Sequence, residues 1–330
     1  MNHSRVPGCA LHGRIAKAGT ARWAEDMCDD HAVTAFRIGI DLGGTKTEVI
    51  ALGRAGETLL RRREPTPAQD YAGTVGLVVR LVHETEDTLG ARASVGIGTP
   101  GSLSPETGLL RNSNSTCLNG QPVKRDLERA LGREIRIAND ADCFALSEGL
   151  DGAARGASSV FGAILGTGVG GGIVIAGRVL AGPNAIAGEW GHNPLPWPVG
   201  DERPGPGCYC GKHGCIETFL SGPGLALDHE RRYSERLSPE EIAARARGGE
   251  RAATATMHRY EERLARALAT VINVLDPEVV VLGGGVSNVE SLYARVPALL
   301  RDWVFSEAVR TRLVRSAHGD SSGVRGAALL

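Results

Sequence analysis

The sequence predicts an α/β protein made of two similarly built halves. Three observations carry that prediction. Apolar alternating runs give way along the chain to alternating strand- and helix-forming segments. A hairpin-like stretch near residue 36 returns near residue 161. The chain, at 330 residues and 42% hydrophobic, is long enough for about two domains with a proper core.

The first 35 residues carry neither a periodic apolar face nor an apolar stretch of signal-peptide length. They are expected to be a disordered extension, or the result of a start placed too early, with Met27 the alternative start. Ordered structure is expected from Phe36. FRIGIDLGGTKTEVIAL alternates, bends on glycine and returns through a β-rich run from Thr47 to Leu52, which reads as a hairpin. GETLLRRREPTP adds a third strand that Pro65 and Pro67 end. Tyr71, Val75, Val78, Val82 and Leu89 recur at helical spacing across residues 70–89. SVGIGTPG reads as a strand, LLRNSNSTCLNGQP as a loop, residues 123–131 as a short helix, and EIRIAND as a strand that ends on polar groups.

FGAILGTGVGGGIVIAGR then repeats the opening hairpin at an offset of 125 residues. Phe161 matches Phe36, Gly168 matches Gly43, and Val174, Ile175 and Ala176 match Val49, Ile50 and Ala51. Two such hairpins would face one another across a cleft. Helical stretches follow near 216–231 and 238–247, then a long helix over about 251–275 that Asp276-Pro277 ends before the buried strand Val279 to Leu282. A helix through SLYARVPALLRDWV comes next, and a last one in HGDSSGVRGAALL with Asp320 or Ser321 as its N-cap.

A formal net charge of -1 and a pI of about 6.8 lack the basic footprint of a nucleic-acid binder. No run of 18 apolar residues exists to span a membrane. With no secretory signal, the seven cysteines are expected to stay reduced in a cytoplasmic protein.

Glycine numbers 45, roughly twice the usual share of about 7%. Three glycine-rich bends follow apolar strands: LGGTK at 42–46, LGTGVGGG at 165–172 and LGGGVSN at 282–288. Without side chains in the way, backbone N–H groups in such bends converge on an anion, as a polyphosphate requires. None fits GxxxxGK[ST], and the GxGxxG at 166–171 opens no helix, so neither a P-loop nor a dinucleotide fold is supported. Asp41 ends the first strand, where it either holds Mg²⁺ or starts the turn. IAND at 137–140 brings a carboxylate to a strand end. Asn139 or Asp140 caps the following helix there, or Asp140 takes the proton of a hydroxyl attacking phosphorus.

CYCGKHGC at 208–215 packs three thiols into eight positions. With His192 upstream in GEWGHNPL, the spacing H-x15-C-x-C-x4-C offers Zn²⁺ a complete tetrahedral set of His192, Cys208, Cys210 and Cys215, which marks a structural site. His213 competes as fourth ligand. A closed site would stiffen the loop and orient Glu189 and Glu217 toward a cleft, where carboxylates and an imidazole read sugar hydroxyls.

DLGGTKTE, IANDAD, LGTGVGGG, GEWGH, CYCGKHGC followed by IE, and GDSSGVRGAA together resemble the ROK family of repressors, uncharacterised frames and sugar kinases, from about Phe36 onward. AGEWGHNPLPWP, NSTCLNGQP and CYCGKHGCIETFLSG resemble most its bacterial fructokinase, or manno(fructo)kinase, branch, with the N-acetylglucosamine kinases close behind. The resemblance implies the actin-like ATPase (ribonuclease H-like) fold, two duplicated α/β domains around a cleft. Residues 36–138, completed by a C-terminal helix at about 318–330, would form the smaller domain, and 139–317 the larger one with the zinc-binding loop.

The implied activity is ATP-dependent phosphorylation of the 6-hydroxyl of fructose or mannose with Asp140 as general base; N-acetylglucosamine kinase and glucokinase are the alternatives. By the same resemblance Asn119, Asn139, Glu189, His192 and Glu217 bind the sugar. Gly39, Ile40, Asp41, Leu42, Gly43, Gly44, Thr45 and Lys46 surround the ATP phosphates from one side. Leu165, Gly166, Thr167, Gly168, Val169, Gly170, Gly171 and Gly172 do so from the other. Asp41 sits near Mg²⁺, Gly283, Gly284 and Gly285 line the nucleotide, and a homodimer is expected. One departure is Cys117-Leu118, where the family usually has a tryptophan. The family's repressors need a helix-turn-helix domain ahead of the kinase-like body, which the first 35 residues do not provide, so this reading is disfavoured.

Overall fold

In the computed structural model, which describes residues 35–330, strand β1 (Phe36–Leu42) is covered on both faces. The expected N-terminal extension and Met27 lie outside the described residues. Period-two alternation sends Ile38, Ile40 and Leu42 into one core and Gly39 to the opposite face, under a helix. Strands β2 (Lys46–Gly53) and β3 (Thr58–Pro65) continue antiparallel. Helix α1 (Tyr71–Leu89) starts where the Asp70 carboxylate accepts the Gly73 N–H at 2.9 Å and stops at Gly90 in the left-handed region.

Strand β4 (Ser94–Thr99) lies parallel to β1, and β7 (Arg136–Asn139) parallel to β4. Between them come β5 (Ser102–Leu103), β6 (Leu110–Arg111) and α2 (Val123–Leu131). The β5/β6 pair is a small hairpin inside what reads as plain loop, because two-residue strands leave no periodic trace. The first sheet has the order β3-β2-β1-β4-β7, and α1 and α2 cover one face through Leu77, Val78, Leu81, Val82, Val123 and Leu127.

The second half follows the same plan. After α3 (Asp140–Leu150), strands β8 (Ser159–Leu165), β9 (Val169–Ile175) and β10 (Arg178–Val179) are antiparallel neighbours. Helices α4 (Glu217–Leu220), α5 (Gly222–Tyr233), α6 (Pro239–Arg247) and α7 (Arg251–Leu275) precede β11 (Val279–Gly283). Then come α8 (Ser291–Leu299), β12 (Arg312–Arg315) and α9 (Ser322–Leu329). The order β10-β9-β8-β11-β12 repeats that of the first sheet.

The duplication is therefore one of topology, and the residue-for-residue offset is corrected by strand pairing. Leu42 faces Thr47 across the first turn and Leu165 faces Val169 across the second. Equivalent strand ends thus lie 123 and 122 residues apart, because the second turn is one residue tighter. The expected helix near 216–231 is broken at Ser221, whose backbone is extended and whose hydroxyl accepts the Gly224 N–H at 3.1 Å to start α5. The last helix has Ser321 at its N-cap position without a side-chain cap; Ser322 instead donates to Glu148 at 2.7 Å.

Helices α3 and α9 change sheets. The first follows β7 of the first sheet but packs on β8 and β9 of the second, and the other follows β12 of the second sheet but packs on β1, β2 and β4 of the first. The two helices also pack against each other. Contact is backbone to backbone: a Cβ on Gly326 would lie 1.7 Å from the Cys143 carbonyl oxygen, one on Gly96 1.9 Å from that of Ala327, and one on Gly172 2.3 Å from that of Ala141. Buried Glu148 of α3 ties the segment entering α9, accepting N–H groups of Ala317 at 2.9 Å and His318 at 3.2 Å besides the Ser322 hydroxyl.

Gly326→Ala drives its methyl into the Cys143 carbonyl, so urea unfolding is expected to show a loss of about 1–3 kcal/mol or more, as for overpacked cores. Wild-type stability in that variant would mean that the two helices separate freely.

Candidate functional site

The two glycine turns open onto one cavity of about 430 Å³, lined by Gly44 and Thr45 from the first and Thr167 from the second, with Thr66, Ser115 and Cys117 beside them. The first turn is clipped by Thr66, whose hydroxyl donates to the Gly43 carbonyl at 2.7 Å. The second is held by Glu217, whose carboxylate accepts the Val169 N–H at 2.9 Å. Trp190 donates its ring N–H to the Gly170 carbonyl at 2.9 Å and so fixes the segment carrying Glu189 against β9.

Not every residue of the glycine runs faces this space. Ile40, Leu42, Leu165 and Val169 are core, while Gly39 and Gly172 make room for α9 and α3 and Gly171 for Gly188 and Trp190. Gly43, Gly44, Thr45 and Gly166, Thr167, Gly168 form the turns themselves; Lys46 is exposed at the start of β2, and Gly170 approaches Ala141 of α3. In the third bend Gly283 lies against the Phe144 ring and Gly284 against the Leu165 carbonyl. Only Gly285 lines a second cavity, of about 420 Å³, between α6, α7 and the approach to α8.

Asp140 is the first residue of α3, where β7 of one sheet hands over to a helix of the other. Asn139 is the cap: its Oδ1 accepts the Ala141 N–H at 2.9 Å and its Nδ2 donates to the Gly101 carbonyl at 3.0 Å. Asp140 Oδ1 accepts the same N–H at 2.8 Å. Water reaches the Asp140 side chain, but protein rings it densely at longer range and its hydration is incomplete. That desolvation leads, the Ala141 N–H opposes it and the Glu189 carboxylate adds to it, so the carboxyl is pushed up to about 6.

Asp41, whose carboxylate comes within 3.7 Å of where a Cβ on Gly323 of α9 would sit, is also pushed up to about 6, by burial first, then by Asp140 and Glu48. A third member escaped the sequence reading. Asp142, half-buried two residues into α3, is pushed up to about 7 by burial, then by Asp140 and Glu189, and its Oδ1 has no hydrogen-bond partner among the described residues. The signal was in IANDAD, yet one helical turn from a capping site a second acid reads as ordinary charge complementing the helix dipole. Like charges held this close favour a divalent cation or shared protons.

Asn119 faces Ser113: its Oδ1 accepts the Ser113 N–H and its Nδ2 donates to the Ser113 carbonyl, both at 2.9 Å, so it shapes the loop beside the first turn. His192, Cys208, Cys210 and Cys215 come together with all four ligand atoms within 4.8 Å of one another, and His213 stands outside that group. Cys208 Sγ lies 3.6 Å from His192 Nδ1, and the sulfurs of Cys210 and Cys215 are 3.6 Å apart, too far for a disulfide. His192 turns its other nitrogen to the Tyr209 hydroxyl at 3.0 Å. Burial, then the neighbouring thiols, push the Cys215 thiol up to about 12.

The sequence pattern of the ROK family matches residues 37–330. An N-acetyl-D-glucosamine kinase from Vibrio cholerae is 41% identical over 296 residues, 88% of this chain and 98% of that protein. Among solved structures, a ROK hexokinase from Thermus thermophilus superposes with a TM-score of 0.79 at 31% identity, covering 89% of this chain and 97% of that one. A ROK family glucokinase from Streptomyces griseus in complex with glucose and AMPPNP reaches 0.70 at 26% identity, covering 89% and 98%. The actin-like ATPase fold expected for this chain is that of these ROK sugar kinases.

Because Asp41, Asp140 and Asp142 titrate at about 6, 6 and 7 in the folded chain against 3.8 ordinarily, the folded form holds more protons than the unfolded between about pH 4 and 7. Their contribution to stability therefore falls as pH rises through that window. Asp142→Asn removes one such group and should gain thermal stability relative to wild type between pH 4.5 and 7.5. Melting curves of the two proteins that stay parallel across that range would contradict the crowding.

Proposed function

This chain belongs to the ROK family, and on that premise we propose that it transfers the γ-phosphoryl group of ATP to the 6-hydroxyl of N-acetyl-D-glucosamine. The reaction class rests above all on one geometric observation: two glycine turns, one from each half, open onto the same cavity. The choice of acceptor rests on the kinase from Vibrio cholerae. It corrects the fructose or mannose preference expected from the cysteine-loop motifs, which the relatives do not support. Motifs that build a shared zinc loop and a shared turn carry the fold and the chemistry, whereas the acceptor is chosen by pocket shape.

In this reading the N–H groups of residues 44, 45, 167 and 168 hold the phosphates, those of Gly43 and Gly166 closing the turns onto the Lys46 and Gly168 carbonyls, and Asp41 faces the divalent cation that accompanies ATP and neutralises its charge. Asp140, ionised at neutral pH with its pKa near 6, accepts the proton of the sugar 6-hydroxyl. The oxygen forms its bond to the γ-phosphorus while the bond to the β-phosphate oxygen breaks, giving sugar 6-phosphate, ADP and a proton. Glu189, Glu217, Asn119, Asn139 and His192 orient the acceptor. The cavity at Gly285 takes the nucleoside, since it adjoins the second turn: a Cβ on Gly222 would lie 3.5 Å from the Gly166 carbonyl oxygen and 3.3 Å from Pro239 of its wall.

The four-residue cluster fits Zn²⁺. Tetrahedral thiolates at about 2.3 Å from zinc stand about 3.8 Å apart, close to the 3.6 Å between the sulfurs of Cys210 and Cys215. His192 Nδ1 completes the set, with its Nε2 held by the Tyr209 hydroxyl. The brace would act on Glu217, which follows Cys215 by two residues and holds the second turn.

Phosphorylation rates with N-acetyl-D-glucosamine, glucose, mannose and fructose at equal ATP test the acceptor; kcat/KM highest for fructose would return the chain to the fructokinase reading. Asp140→Asn should lower kcat by about 10²–10⁴ with sugar affinity nearly unchanged, and wild-type turnover would leave this residue with a helix-terminal role only. Cys210→Ser should abolish stoichiometric zinc in the purified protein and raise the sugar KM at least about tenfold while the far-ultraviolet spectrum is retained. Unchanged zinc content would assign the thiols another purpose.

A further inference from the structure

The cavity of about 420 Å³ at Gly285 has an apolar side formed by Pro239, Met257, Val286 and Val289. Glu261 of α7 stands in its wall and is 1% exposed. One oxygen, Oε2, accepts Nε of Arg295 at 2.5 Å. The other, Oε1, is shielded from water and has no hydrogen-bond partner among the described residues. Arg295, which also lines the cavity and keeps nearly half its side chain exposed, meets only one of the two Glu261 oxygens. A buried carboxylate oxygen without a donor is costly, and such orphans mark places where a donor arrives from outside the chain. The last torsion of a glutamate is soft, so a small rotation presents Oε1 to the cavity.

We infer that Glu261 selects the nucleobase, its Oε1 accepting an N–H from the exocyclic 6-amino group of adenine. Guanine carries an oxygen at that position, which would set acceptor against acceptor beside the buried carboxylate oxygen. The apolar side of the cavity takes the face of the purine, and the edge that distinguishes the two purines meets the carboxylate. This rests on the assignment of the nucleoside to this cavity, made above on its junction with the second turn. A bland alternative is that Glu261 only anchors Arg295, and the two roles respond differently to substitution.

Calorimetric titration of the full chain with magnesium ATP, GTP and purine riboside triphosphate, which lacks the 6-amino group, separates them. These titrations need no sugar turnover, so they are independent of whether the acceptor assignment holds; a chain that binds ATP tightly but phosphorylates no hexose would sink the kinase reading alone. Wild type is expected to bind ATP at least tenfold tighter than either of the others. Glu261→Gln, which can donate as well as accept, should bring the three affinities within about threefold, whereas Arg295→Met should keep the wild-type ranking. Equal affinities in wild type, an unchanged ranking in Glu261→Gln, or the same collapse in Arg295→Met would each overturn the inference. Should Glu261→Gln fail to fold, the comparison of ATP with purine riboside triphosphate on wild type and on Arg295→Met still decides it.

Discussion

The exchange of helices α3 and α9 between the two sheets is the constraint from which the site follows. Each helix is covalently the continuation of one sheet and by packing a part of the other. The crossings put Asp140 where the chain leaves the first sheet, and bring the start of α9 to Asp41 at the end of β1. Backbone contact at Gly326, Gly96 and Gly172 allows no added methyl between the layers. Glu148 completes the tie. A fully buried carboxylate is tolerated because both oxygens are satisfied, by backbone N–H groups of Ala153, Ala317 and His318 and by the Ser322 hydroxyl.

Held by that frame, Asp41, Asp140, Asp142 and Glu189 crowd negative charge into one place at a cost in stability. Nothing among the described residues neutralises Asp140 as Arg61 and Arg63 neutralise Glu48 nearby. The contrast is informative: Glu48, facing β3, is paired and structural, whereas its cross-strand partner Asp41 is half-buried and crowded by Asp140 and by Glu48 itself. Polyphosphate with a divalent cation is a ligand for which such a field is suited, the cation answering the carboxylates and the glycine-turn amides answering the phosphates. The cysteine loop meets the second turn from the other side through Glu217, which follows Cys215 by two residues and accepts the Val169 N–H.

Much of this was legible in the residues. Glycine bends after apolar runs marked both turns, Asp276-Pro277 marked the end of α7, and H-x15-C-x-C-x4-C picked out four side chains that do converge. Other features left no local trace. β5, β6, β10 and β12 are two to four residues long and exist only through pairing with a neighbour. Asp142 looked like an unremarkable acid in a first helical turn, and Glu261 like one charge on a long helix. What distinguishes them is an oxygen without a hydrogen-bond partner among the described residues, which depends on what packs nearby.

Spacing and chemistry along the chain determined the class of fold, its duplication and which four side chains, His192, Cys208, Cys210 and Cys215, converge, because turns, strand alternation and ligand-like spacings are properties of a few neighbouring residues. Tertiary structure alone decided which glycines face a cavity and which merely admit a helix, as Gly285 and Gly283 show side by side. It also decided which carboxylates are crowded and which are paired. Both depend on distances between segments far apart in sequence, and burial and Coulomb interaction respond to those distances rather than to order along the chain.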